Sequence, residues 1–324
     1  MHPCNEVTLG KRRSLLRGNW PELLSRKKRL TLCPSFISAA AVERAGRRFG
    51  QNSCRISQSL GMCYCLSVSG LCFYVTDQMR LVFLGTGGYH PSERRHTASL
   101  LLPEIGLALD AGTGFFRVQE HLKSDTLDIF LTHAHLDHIC GLTFFLVPVM
   151  KGEVQTVRVH GSKKTLDAVR THLFAEAIFP VSDPPFEWCE LPDDGIEVGE
   201  GGLLTWIPIE HPGGSLGYRI DWPDKSMAYI TDTTAPGNYL AFIEDVDVLI
   251  HECYFPDDMH EWASKTGHSS STAVAEIAKK SRAKKLYLVH TDPQKTDDDP
   301  IGIDRILKLV PHTELAEDLM EIEF

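Results

Sequence analysis

The chain has 324 residues, of which 43% are hydrophobic and 9% aromatic, with 33 Lys and Arg against 43 Asp and Glu. That is ample for a large core, as one domain with an appendage or as two domains, and it excludes a collagen-like, low-complexity or wholly disordered chain. The charge is split: residues 1–78 hold 12 Lys/Arg and 4 Asp/Glu, a formal +8, while residues 79–324 hold 21 and 39, a formal −18, and so acidic a body repels extended RNA at long range unless a metal or a local patch offsets it.

The leader, 1–78, clusters its basic residues at Lys11–Arg13 and Arg26–Arg29 and carries six of the nine Cys. It shows no turn-bounded strand and no long amphipathic helix. Ile56–Thr76 is uncharged. Three readings stand side by side: a signal anchor or secretory segment, late in the chain and only moderately apolar; an Arg-rich, acid-poor transit sequence; or residues upstream of a natural start at Met79. The last would leave the protein cytoplasmic. The leader is expected to be disordered or non-native, with 79–324 as the folded domain and no firm membrane association. Cys63-Tyr64-Cys65 has no second Cys/His pair at ligand spacing.

From Met79 the predicted elements run as follows. Arg80–Leu84 is a strand entering the turn Gly85-Thr86-Gly87-Gly88. A dinucleotide fingerprint would need Gly where His90 stands before Pro91, so this is a loop. Ser99–Leu102 and Leu107–Asp110 are strands, Phe115–Lys123 a helix, and Asp128–Thr132 a buried strand. Later strands are Thr156–His160, Leu203–Ile209, Gly217–Trp222, Met227–Thr231, Val246–His251 and Lys285–His290. Helices are predicted at Lys164–Phe174, Tyr239–Glu244, Ser271–Ser281 and Asp304–Leu309. A meander followed by alternation with helices suits two sheets with helices outside them, an α/β (α+β) arrangement.

Thr132-His133-Ala134-His135-Leu136-Asp137-His138 places four potential metal ligands in six residues just past an apolar strand. His133 and His135, two apart on extended backbone, aim to one side; Asp137 and His138 follow as the chain turns and can face a second point. Imidazole with hard carboxylate oxygen suits Zn²⁺, with Mn²⁺ or Fe²⁺ as substitutes. His211, Asp232 and His290 each stand at or just past the end of an apolar, β-rich run, where sites are usually assembled. Asp110, before Ala111-Gly112, reads equally as a turn residue or as a carboxylate holding a ligand imidazole. Gly213-Gly214-Ser215-Leu216-Gly217 spells a nucleophile elbow, but a strand follows where a helix is required. Trp188, Trp206, Trp222 and Trp262 read as core packing rather than as the lining of a substrate pocket.

The ordered set His133-x-His135-x-Asp137-His138, His211, Asp232 and His290 resembles the metallo-β-lactamase fold superfamily over 79–324. The resemblance implies a four-layer αββα sandwich with a two-metal site. His133, His135 and His211 would bind one ion, Asp137, His138 and His290 the other, with Asp232 bridging. A carboxylate at 232 and the run Thr266-Gly267-His268-Ser269-Ser270, preceded by His251-Glu252-Cys253-Tyr254-Phe255, look like the tRNase Z-type branch and its phosphodiesterase relatives. There a matching histidine contacts the phosphate and helps protonate the leaving group. Glu252 would orient His268.

The branch's tRNA-processing enzymes carry a long RNA-gripping arm between the counterparts of His211 and Asp232; here 20 residues separate them, read as a hairpin around Pro223-Asp224-Lys225. The expected activity is therefore dinuclear-metal hydrolysis of a small phosphodiester or short nucleotide. A metal-bridging hydroxide would attack phosphorus, Asp137 would take the proton, and His268 would assist the leaving group. An ester, lactone or thioester hydrolase, a tRNA 3′-processing endonuclease and a non-catalytic carrier are the alternatives. Relatives of this branch are often dimers, which makes a homodimer the expectation by resemblance.

Overall fold

The computed structural model describes residues 30–32, 73–75, 79–179 and 184–324. The chain divides into two units, 1–78 and 79–324. In the first, β1 (Leu30–Leu32) pairs antiparallel with β2 (Phe73–Val75), two short strands the sequence reading did not find. The basic clusters, the cysteine pair and most of the uncharged stretch lie outside the described residues. Among the described residues no helix is long and apolar enough to cross a membrane.

The second unit holds two seven-stranded sheets. One runs in the order β16-β3-β4-β5-β6-β7-β8, from β3 (Arg80–Gly85), β4 (Ser99–Leu102), β5 (Leu107–Leu109), β6 (Thr126–Phe130), β7 (Thr156–Gly161), β8 (Glu187–Glu190) and β16 (Glu321–Glu323). The other runs β15-β14-β13-β12-β11-β10-β9, from β9 (Ile196–Val198), β10 (Gly202–Ile209), β11 (Ser215–Asp221), β12 (Ser226–Ile230), β13 (Val248–Glu252), β14 (Lys285–Val289) and β15 (Thr313–Leu315). The predicted hairpin is β11–β12, antiparallel from Asp221 opposite Ser226.

Strand periodicity explains the layers. Leu127 and Ile129 of β6 face outward, where Val118 of α1 (Val118–His121), Leu146 of α3 (Leu146–Met150) and Leu166 of α4 (Lys163–Ala168) cover them. Phe130 faces inward and packs with Phe83, Leu109, Tyr218, Tyr229 and Tyr287 from both sheets. On the far side, Val274 and Ile277 of α6 (Ser271–Ser281) and Ile306 of α7 (Asp304–Leu309) cover Ala228, Leu249 and Leu288. The result is the αββα sandwich, with α2 (Leu136–Ile139) and α5 (His260–Thr266) in the loops.

The differences from the predicted elements are local. Tyr239–Glu244 is a run of turns: Tyr239 and Ile243 are buried at helical spacing, but the segment follows Ala235 at φ +58° and Gly237 at φ +83° and ends at Asp245 at φ +57°, too short a stretch to propagate a helix. Phe115–Lys123 is a 3₁₀ turn, Thr113–Arg117, leading into the single turn α1. Trp262 is 57% exposed and not core, whereas Trp222 is buried between the sheets. Ser215 opens β11 with no helix after it, so the apparent nucleophile elbow is not one.

Candidate metal centre

β5, β6 and β7 run parallel, as do β12, β13 and β14, so their carboxyl ends share one edge of each sheet. Two antiparallel steps bring β10 into the direction of β12. The loops leaving those ends carry every predicted ligand. His133 and His135 follow β6, His211 follows β10, Asp232 follows β12 and His290 follows β14. Asp110, Asp232 and His290 leave their strands at φ +58°, +53° and +57°, a left-handed step that turns each side chain into the shared edge.

The seven side chains converge in two groups. His133, His135, His211 and Asp232 form one, and Asp137, His138 and His290 the other. In the first, Asp232 Oδ1 lies 3.8 Å from His133 Nε2 and 3.5 Å from His211 Nε2, and His211 Nε2 lies 3.3 Å from His135 Nδ1. In the second, Asp232 Oδ2 lies 3.1 Å from His138 Nε2 and 3.5 Å from His290 Nε2. Asp137 Oδ2 is 3.4 Å and 3.3 Å from the same two nitrogens. Asp232 therefore turns one oxygen to each group, the arrangement a bridging carboxylate requires.

The donors fit divalent ions. Two ligand atoms each about 2.1 Å from a tetrahedral ion lie roughly 3.4 Å apart, inside the spread of these separations. His133 Nε2 is buried with no hydrogen-bond partner, an orphan that a metal would satisfy. Burial, and then the neighbouring His138, hold His133 well below the usual imidazole range; burial also lowers His135 and His211, favouring the neutral form that ligates. Burial opposes charge on His138, yet Asp232, Asp137 and Asp110 lift it well above that range, a measure of how strongly this pocket favours a cation.

A second ring of contacts fixes the ligands. Asp110, fully buried, lies 2.8 Å from His138 Nδ1 and accepts from Thr132 N–H at 2.8 Å, from the Thr132 hydroxyl and from the Tyr229 hydroxyl at 3.1 Å. Of its two sequence readings, the geometry matches a carboxylate that holds an imidazole, that of the candidate ligand His138. His211 Nδ1–H donates to Gly267 O at 3.1 Å, and Thr132 Oγ1 is 3.0 Å from His133 Nδ1. These partners fix tautomer and ring orientation.

His268 stands beside the second group, within 4.8 Å of the ligand atoms of Asp232 and His290. Its Nδ1 is 3.3 Å from Glu252 Oε1, at the end of β13. Glu252 is fully buried and also accepts the N–H groups of Thr233 and Ser269. Burial disfavours charge on His268, but the charge of Glu252 and its hydrogen bond outweigh it and raise the imidazole's pKa above its ordinary value. The Tyr254 ring stacks on His268, centroids 4.5 Å apart, a neighbour the sequence reading passed over although it lies in the quoted His251–Phe255 run. Gly88 is also part of the centre: a Cβ there would sit 2.6 Å from the His290 ring and 2.8 Å from Tyr254.

The family model described as "Beta-lactamase superfamily domain" matches residues 107–291, more than half of the chain. A ribonuclease Z of Methanosarcina acetivorans is 26% identical over 301 residues, covering 76% of this chain and 98% of the relative. Among solved structures, the metallo-beta-lactamase fold protein YhfI of Bacillus subtilis superposes with a TM-score of 0.64 at 20% identity, over 76% of this chain and all of that one. A diphosphatase of the PhnP family gives 0.60 at 23% identity, over 76% and 98%.

Proposed function

The chain belongs to the beta-lactamase superfamily and is a metal-dependent hydrolase of that fold, and we propose that it cleaves a small phosphodiester of nucleotide chemistry. The observation that carries this reading is the His268–Glu252 pair beside the second ligand group. An ester's leaving alkoxide could use such an imidazole too, but a phosphodiester makes a double demand on it: the leaving alkoxide needs a proton, and the charged non-bridging oxygens need a cationic donor.

We assign His133, His135 and His211 to one ion and Asp137, His138 and His290 to the other, with Asp232 shared, and zinc as the ion that suits five imidazoles with carboxylates. Two divalent ions, when bound, supply Lewis acidity that acidifies water and neutralises the charge building on phosphoryl oxygens. The protein's own groups do the rest. Asp137 Oδ2 is engaged by Tyr89 N–H at 2.8 Å and faces the two imidazoles, leaving Oδ1 to accept the proton given up by the attacking water. Glu252 keeps His268 protonated and turned into the centre, so that its other ring N–H can donate to the substrate. Asp110 keeps His138 in the tautomer with a free Nε2.

Size selection rests on the β11–β12 hairpin, which fills the 20 residues between His211 and Asp232 with no room for an RNA-gripping arm, and on the −18 charge of 79–324. The alignment to the ribonuclease Z runs over 301 positions yet occupies 76% of this 324-residue chain, so that relative carries segments absent here. Its name, a ribonuclease, still favours a second reading, cleavage of RNA. Zinc-loaded protein assayed on bis(p-nitrophenyl) phosphate, p-nitrophenyl acetate, a lactone and an RNA hairpin with a single-stranded 3′ trailer separates them. The proposal expects turnover of the first and little of the rest. Ester or lactone hydrolysis without phosphodiester hydrolysis refutes it, and preference for the RNA moves the assignment to the second reading.

A further inference from the structure

The loop from Thr86 to Pro91 carries a residue that neither the core nor the backbone explains. Gly88 is pressed between His290 and Tyr254, and the chain then delivers Tyr89, whose N–H donates to Asp137 Oδ2 at 2.8 Å. Tyr89 sits at φ +60°, a conformation a bulky residue seldom adopts. Glycine would make the same bond to Asp137 without that strain, so the backbone does not call for a tyrosine. Burial does not either, because the side chain is 69% exposed. Its ring meets the His90 ring edge to face, centroids 5.2 Å apart, and is otherwise turned to solvent. Leu136, the residue before Asp137, is also 69% exposed. Two large apolar side chains are thus held in water on the two residues that adjoin Asp137, at the lip of the centre.

From this we infer that Tyr89 is the specificity-determining residue that stacks on the nucleobase of the substrate, with Leu136 packing beside it. A phenol face open to water next to a phosphoryl site offers what a flat π-system needs, and such stacking tolerates any base. The inference rests on the phosphodiester reading above and names the substrate's other half.

Calorimetric titration of the zinc-loaded full chain with adenosine 5′-monophosphate and with ribose 5-phosphate tests it without relying on turnover. Wild type should bind the nucleotide about tenfold more tightly than the sugar phosphate, the scale of one exposed base–aromatic stack. Tyr89→Phe should keep that preference. Tyr89→Ala and Tyr89→Gly should abolish it, and the glycine variant removes the ring while relieving the strain. Equal affinities in wild type, or a preference that survives in Tyr89→Ala, overturn the assignment. Hydrolysis of bis(p-nitrophenyl) phosphate by the same preparation separates the two claims. Activity without a nucleotide preference removes Tyr89 alone, whereas a preference that follows Tyr89 in an inactive protein keeps the assignment and removes the reaction.

Discussion

Asp110→Asn changes one atom at the most connected carboxylate of the centre. Oδ1 and its bond from Thr132 N–H survive. Oδ2, which faces His138 Nδ1 and the Tyr229 hydroxyl, becomes an amide NH₂. The Tyr229 hydroxyl can turn to accept from it, but His138 Nδ1–H then faces a donor, and leaving that buried donor unsatisfied costs about 1–3 kcal/mol. His138 can escape by accepting from the new amide at Nδ1, but its proton then sits on Nε2, the atom needed for metal. The variant should therefore lose about 1–3 kcal/mol of stability, or lose about 10–100-fold in affinity for the second ion, while the His133, His135 and His211 group keeps its own. Urea unfolding of metal-free protein reads the first effect. Chelator competition with elemental analysis reads the second, with one tight equivalent of zinc expected in place of two. Two equivalents at wild-type affinity, with wild-type stability, would show that this carboxylate orients nothing.

Three other outcomes follow from the same geometry. His268→Ala should lower kcat on bis(p-nitrophenyl) phosphate by about 10²–10⁴-fold with two ions still bound, the usual scale for a positioned acid; unchanged kcat would remove His268 from the reaction. Because Glu252 raises the His268 pKa, activity that needs the imidazolium persists below that pKa and falls as pH rises through it; Glu252→Gln should move this descending limb of the kcat profile to lower pH, and an unmoved limb would deny the coupling. Burial works against ionised Asp128, but the bonds from His160 and Arg158 pull its pKa below the ordinary value, so its stabilising effect is complete above its unfolded pKa of about 3.9 and is lost as pH falls through the lower folded one. The melting-temperature advantage of wild type over Asp128→Asn should thus hold above about pH 4 and shrink below it; an advantage that grows on acidification would reverse the sign.

The candidate ligand set is readable because metal chemistry restricts residue type: four potential ligands in six residues after an apolar strand have few other uses. The bridging role proposed for Asp232 comes only with the resemblance; in space its carboxylate turns one oxygen toward each group. What was not readable depends on contacts distant in sequence. Asp110 reaches His138 across 28 residues and Tyr229 across 119, and nothing in Leu109-Asp110-Ala111 marks it out from a turn. Tyr89 needs its backbone angle and its exposure, neither of which composition encodes. The short strands β8, β9, β15 and β16 escaped because each carries Glu among its three or four residues, unlike the equally short but leucine-rich β4 and β5. Tyr239 and Ile243 misled for the opposite reason, since their helical spacing is met by a compact turn against the same core.

The central claim is that seven side chains hold two divalent ions close enough to act on one phosphoryl group. Anomalous diffraction at the zinc edge from crystals of the zinc-loaded protein tests it most directly. Two peaks about 3.5–4 Å apart are expected, one among His133, His135 and His211, the other among Asp137, His138 and His290, with Asp232 between them. A single peak, or two peaks with Asp232 touching only one, would contradict the account.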